Sequence, residues 1–313
     1  MVKFISALFL SLPFLNFPTL FGWAFFVALL GAAFWLYRRS GEYRVLREGR
    51  SWLTFLALLL LTLLSNLFVG LYIKTPDLMS WPSMPIENPG AAWMLLGSLG
   101  WMIAGGTLGP LAAFVLGLLT GLLRAPFATH TVFTALEFGL IAMLFSIAVR
   151  QRYRTLLFRI LRQPIFAALA LLPISSILFL LGVFFSGAHP EATARLDFAI
   201  NNTFAASIAM FGELLFAGLV AQVIAFFFPE RWGRNQPLKP SPIERRLETR
   251  FFIGTGAFII ILLLSLLIGD WIIAGQAARR MLRERLESTA QIATERGPFF
   301  LETGPKPWLP TRK

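Results

Sequence analysis

The chain has 313 residues, 57% of them apolar and 14% charged, with a mean hydropathy of +0.70. It contains no cysteine, which excludes disulfides, thiolate metal sites and cysteine nucleophiles. The formal net charge is +12, but the basic residues are sorted by loop rather than spread over one surface, so the charge argues for membrane topology and against a nucleic-acid partner.

Residues 1–17 are apolar but short and broken by Pro13, with Pro18 following. They read as a retained interfacial segment or a further span, since no small-residue cleavage site precedes the next apolar run. The first clear span is 18–37, ending at Arg38. A basic loop follows, with Arg38, Arg39, Arg44, Arg47 and Arg50. Span two is 51–73, and a Pro-rich loop with few charges runs from Lys74 to Gly90. Spans three and four share 91–123 and break near Gly105-Gly106-Thr107-Leu108-Gly109-Pro110. Span five is 130–149, and a second basic loop carries Arg150, Arg152, Arg154, Arg159 and Arg162. Span six is 164–186, an outer loop covers 187–202, and span seven is 203–228. The linker 229–250 is the third basic segment, with Arg231, Arg234, Lys239, Arg245, Arg246 and Arg250, and span eight is 251–273.

The expected fold is therefore all-α, a polytopic membrane helix bundle of about eight transmembrane helices with a C-terminal juxtamembrane amphipathic helix. Residues 18–228 would form a seven-helix bundle. Basic loops stay on the cytoplasmic side, which puts both termini outside. The tail disagrees in one respect. Arg279, Arg280, Arg283 and Arg285 follow span eight closely, interleaved with Glu284 and Glu287.

Few ionisable groups interrupt the spans: Glu137 and Glu213 lie within them, with Arg124 and Asp270 at span ends and Asn66 as a neutral companion. A carboxylate in hydrocarbon is costly and turns toward a partner or a watery cavity. Counting from the outer ends at 1.5 Å per residue puts Asn66 and Glu137 about 10 Å deep and Glu213 about 15 Å deep. Asn66, Arg124, Glu137 and Glu213 are thus the candidates for a ligand pocket open to the outside. The competing reading is helix–helix hydrogen bonding, with Glu137 paired to Arg124 or protonated. Gly105, Gly109, Ala113, Gly117 and Gly121 recur at steps of four, the spacing of a seam where spans three and four approach closely. No catalytic set, metal-ligand cluster or cofactor-binding motif is present, so neither an enzyme nor a resident cofactor is expected.

After span eight, Ala274, Ala278, Leu282, Leu286, Thr289 and Ala293 form a stripe on a helix over 274–296, ended by Gly297-Pro298. So narrow a stripe needs a partner: the same helix in a second subunit, or another domain. The remainder of 274–313 holds three Pro and no visible core, which predicts disorder.

The segment Gly105-Gly106-Thr107-Leu108-Gly109-Pro110-Leu111, followed by Gly117, Gly121 and Leu122-Leu123-Arg124, resembles the membrane sensor region of LytS-type bacterial histidine kinases. The tail, Ala277-Ala278-Arg279-Arg280 to Ile292-Ala293 and then Phe299-Phe300-Leu301-Glu302-Thr303-Gly304, resembles the start of an extracytoplasmic Cache-type domain. The first likeness covers about 40 residues and rests mainly on glycines. Together they imply a sensor module of a two-component receptor in a bacterial inner membrane, binding a small ligand or sensing the bilayer, with no kinase or cyclase motif in this sequence. The alternative is a substrate-binding membrane subunit of a small-molecule transporter, which shares short Gly-rich helices and outer pockets. A purely structural membrane protein without a ligand is the third reading.

Overall fold

The structure, a computed structural model, describes residues 17–40, 49–68, 71–72, 92–187, 191–232 and 238–240, together with 255, 259, 281, 287 and 288. The chain divides into two compact units, Met1–Pro240 and Ser241–Lys313. In the second, Thr255, Ile259, Met281, Glu287 and Ser288 are helical. The rest of predicted span eight and of the 274–296 helix, the tail beyond it, and segment 1–16 lie outside the described residues.

Among its described residues the first unit is built of helices, with a two-residue antiparallel pairing, β1 (Leu71–Tyr72) with β2 (Ala92–Trp93). Its helices are α1 (Leu20–Ser40), α2 (Gly49–Phe68), α3 (Leu99–Thr107), α4 (Pro110–Arg124), α5 (Phe133–Arg150), α6 (Leu156–Leu161), α7 (Pro164–Ala170), α8 (Leu172–Phe185) and α9 (Ala192–Phe227). A π-helical turn, Ala125–Thr129, links α4 to α5. By length and apolarity, α1, α5, the α7–α8 pair and α9 can each cross a membrane, while α4 and the stretch Ser51–Leu67 of α2 are shorter apolar helices. These long apolar helices suggest a membrane-embedded protein.

The helix at the centre is α5. Of its span, 78% is buried, against 17% for α1. A helix apolar all round belongs inside a bundle, and one with an exposed apolar surface faces lipid. Phe145 meets Trp101 edge-on at 5.6 Å, in a core that also takes in Leu116, Ile141, Ala168 and Leu214. On the far side of α5, Phe133 packs against Phe25 and Phe26 of α1.

Two features differ from the sequence reading. Spans three and four were expected as two crossings, but α3 has nine residues, about 14 Å at 1.5 Å per residue, which does not cross about 30 Å of hydrocarbon. The break falls at Gly109, whose φ of 111° favours glycine, and Pro110 then opens α4 where its missing N–H costs nothing. The second difference is α9. The predicted outer loop 187–202 is helical from Ala192, which makes one helix of 36 residues, about 54 Å long. Arg195, Asp197, Asn201 and Asn202 lower the apolarity of its first turns, and these polar turns extend the helix past the apolar stretch.

The described parts of the basic segments lie at one end of this unit. The backbone N–H of Lys239 donates to Arg152 O at 2.7 Å and that of Arg154 to Lys239 O at 3.2 Å, joining the second and third segments. At the opposite end, the Thr19 N–H donates to Phe185 O at 3.2 Å. This sets α1 against α8 in the reverse direction and carries Arg38 and Arg39 to the basic end.

Candidate functional site

Arg124, the last residue of α4, is buried among apolar helices. Its guanidinium is a planar fork that matches a carboxylate. Here Nη1 donates to Glu213 Oε2 at 2.7 Å and Nη2 to Glu213 Oε1 at 2.6 Å. The third donor, Nε, reaches Asn66 Oδ1 at 3.0 Å. The ring of Phe138 lies beneath, 4.6 Å from Cζ, a cation–π contact that strengthens out of water. Four helices thus converge on one side chain: α2 through Asn66, α9 through Glu213, α5 through Phe138, and α4 itself.

The partners are held in turn. Asn66 Nδ2 donates to Thr62 O at 2.9 Å and to Gly97 O at 3.3 Å. Both are acceptors, so the amide must present its oxygen to Arg124. Ser98, in the turn before α3, donates its hydroxyl to Glu213 Oε1. That turn needs glycine at its contact point: a Cβ on Gly97 would overlap Arg124 Nη2 and approach Asn66 Oδ1 to 2.8 Å. Arg124 and Glu213 are 5% and 2% exposed, so the pair is desolvated. Removing one partner then strands the other charge.

Of the four predicted pocket residues, Asn66, Arg124 and Glu213 meet. Glu137 does not join them. It lies one turn into α5, buried, and turns toward α8, where a Cβ on Gly182 would overlap its Oε1. It has no ion pair with Arg124, and among the described residues its carboxylate makes no hydrogen bond. Glu213 touches protein donors on both oxygens, which is the helix–helix hydrogen bonding weighed against a pocket. Ser98, Gly97 and Phe138 were missed by the sequence reading. A serine, a glycine and a phenylalanine in an apolar chain carry no signal of their own.

The glycine seam lies against a different helix from the one expected. A Cβ on Gly117 would come within 2.5 Å of Phe138 O and 3.0 Å of Gly139 Cα, and one on Gly121 would overlap Thr134 O. Gly105 sits 3.2 Å, at its Cβ position, from Ser146 Cβ, and Ser146 Oγ donates to Gly105 O at 2.7 Å. These glycines pack α3 and α4 onto α5, rather than α3 onto α4. Gly109 serves as the hinge between them. At the basic end, the indole of Trp232 fills the space beside Gly106, and Arg150 Nη1 donates to Gly106 O at 2.9 Å.

Among the described residues, no group of His, Asp and Glu side chains is placed to hold a metal ion. No protein family model matches this chain, and neither a curated protein nor a solved structure does so.

Proposed function

We propose that this chain is a membrane-embedded signal-input module of a bacterial receptor in the inner membrane, with both termini outside and the α3–α4 pair entering and leaving on the outer side. The observation that carries the reading is the convergence on Arg124. A single guanidinium holds α2, α4, α5 and α9, and its main partner is a carboxylate. A small carboxylate ligand entering from the outer end would compete with Glu213 for the fork and free α9. A bistable element biased by a ligand is what a sensor requires. The sequence likeness to LytS-type sensor regions supports the same reading. A second reading, the capture subunit of a transporter, is favoured by the broken α3–α4 pair, because substrate sites in transporters often form at interrupted helices.

The test uses the cysteine-free chain in nanodiscs with spin labels at Leu122→Cys and Phe204→Cys, on exposed positions of α4 and α9. A panel of acetate, lactate, succinate and glutamate is added. The expected result is a change in the inter-label distance with at least one carboxylate, lost in Glu213→Gln. Binding without a distance change favours the capture subunit. No binding by any of the four removes the carboxylate reading.

A further inference from the structure

At the basic end, α6 is a single short helix without a buried residue. Leu156, Leu157 and Ile160 are 70%, 52% and 40% exposed. Arg152, Arg159 and Arg162 flank these aliphatic side chains. Burial lowers the pKa of Arg162, and repulsion from Arg152 and Arg159 lowers it further. Geometry agrees: Arg162 reaches the backbone at Tyr153, the neighbour of Arg152, and Arg159 lies one turn before Arg162. Among the described residues, none of these three arginines is in an ion pair.

The surrounding backbone fixes the cluster in place. Arg162 Nη2 donates to Tyr153 O at 2.8 Å. Tyr153 lies against Phe158 with the rings tilted at 55° and their centroids 4.9 Å apart, and it bridges to Lys239. Lys239 N–H donates to Arg152 O at 2.7 Å. Arg152 is thus held through its backbone and Arg162 through its guanidinium, while two polar atoms beside them, Arg162 Nε and Thr155 Oγ1, are buried without a hydrogen bond. Arginine donors held at one place, beside buried polar atoms that still seek a partner, suit an anion. Phosphate supplies several acceptor oxygens and takes arginine forks in pairs.

We infer that Arg152, Arg159 and Arg162, with Thr155, bind the phosphate of an anionic phospholipid at the basic end of the bundle. The source is lipid rather than free phosphate because the same short helix presents Leu156, Leu157 and Ile160 outward. These seat α6 in acyl chains while the arginines meet the head groups, the arrangement of basic pockets that hold anionic lipids between helices. The inference does not depend on the sensor reading, since either a receptor or a transporter subunit would use the site.

The test is native mass spectrometry of the protein released from nanodiscs of phosphatidylcholine containing a minority of phosphatidylglycerol. The parent should retain phosphatidylglycerol preferentially. Arg159→Gln, at an exposed position with a solvent-side head group, should lower retention about fivefold, and Arg152→Gln with Arg159→Gln by more, on the scale of a single arginine near an anionic surface. The charge-matched control, Arg39→Gln with Arg231→Gln, should retain lipid as the parent does. Melting in pure phosphatidylcholine should match the parent for every variant, which separates lost binding from lost folding. Equal losses in the control would overturn the site and leave a diffuse basic rim. Retention unchanged in Arg152→Gln with Arg159→Gln would overturn it outright. Protection by millimolar inorganic phosphate in pure phosphatidylcholine, equal to that given by phosphatidylglycerol, would show a free-anion site and overturn the lipid assignment.

Discussion

The side chain on which most depends is Arg124. A buried charge pair is weak evidence of stability when intact, but removing one member strands the other at a cost of about 3–5 kcal/mol. Arg124→Ala and Glu213→Gln should each destabilise the protein on that scale in detergent melts or denaturant titrations. Arg124→Met combined with Glu213→Leu should recover much of the loss. Additive losses in the double variant would show that the two side chains do not act as a pair. Gly97 permits a sharper check. Gly97→Ala adds one carbon, but that carbon falls on Arg124 Nη2, so the variant should behave as a weaker Arg124→Ala. A parent-like melt would mean the guanidinium has room to move aside. Sequence alone makes Asn66, Arg124, Glu137 and Glu213 visible, because polar groups stand out in apolar helices. It does not say which carboxylate takes the arginine. Counting residues along a span gives depth but not the direction a side chain faces, and Glu137 and Glu213 differ in direction. Glu213 presents itself to α4, whereas Glu137 turns to Gly182 in α8.

At the scale of elements, the seam between α4 and α5 rests on glycine. In a bilayer, lipid tails are as apolar as leucine, so helices associate through close van der Waals contact. Gly117 and Gly121 meet backbone atoms of α5, which cannot rotate away as a flexible side chain would. Gly117→Ala and Gly121→Ala should therefore each destabilise by about 1–3 kcal/mol through overpacking. Gly31 in α1 has nothing within 4 Å of a Cβ. Gly31→Ala should be neutral or gain about 0.5–1 kcal/mol of helix propensity. If all three substitutions act alike in thermal melts, the glycines matter for backbone flexibility and the seam argument fails. Spacing in the sequence makes the small-residue pattern plain, but its partner stays open, because a stripe of glycine fits any helix that approaches. The length of α9 is hidden for a different reason. Hydropathy detects the part of a helix that suits lipid, and a helix continued by Arg195, Asp197 and Asn202 keeps its hydrogen bonds without the apolar signal.

For the whole molecule, the sorting of arginines is the organising fact. The pairing of Lys239 with Arg152 and Arg154 joins the second and third basic segments, and the reversed run of α1 along α8 carries Arg38 and Arg39 to the same end. The sequence makes this sorting legible without any structure, because the bias acts on loops and survives errors in single span boundaries. The number of crossings is less legible: α3 is too short to cross alone, so a hydropathy count and a length count disagree over residues 91–123. Parity still follows from the basic segments. With those segments inside, positions 45, 156 and 236 face the cytoplasm and position 190 faces out. The chain has no cysteine of its own, so single cysteines at these four positions report without background. An impermeant maleimide added to intact cells should label position 190 alone, and all four after lysis. The arginines at 279, 280, 283 and 285 pull the other way, close enough to span eight for their charge to count. A cysteine at 276 therefore tests whether the earlier loops dominate, and it should label from outside. Outside labelling at 45 or 156 would break the assignment for the whole bundle. Protection at 276 with labelling at 190 would confine the error to the last span.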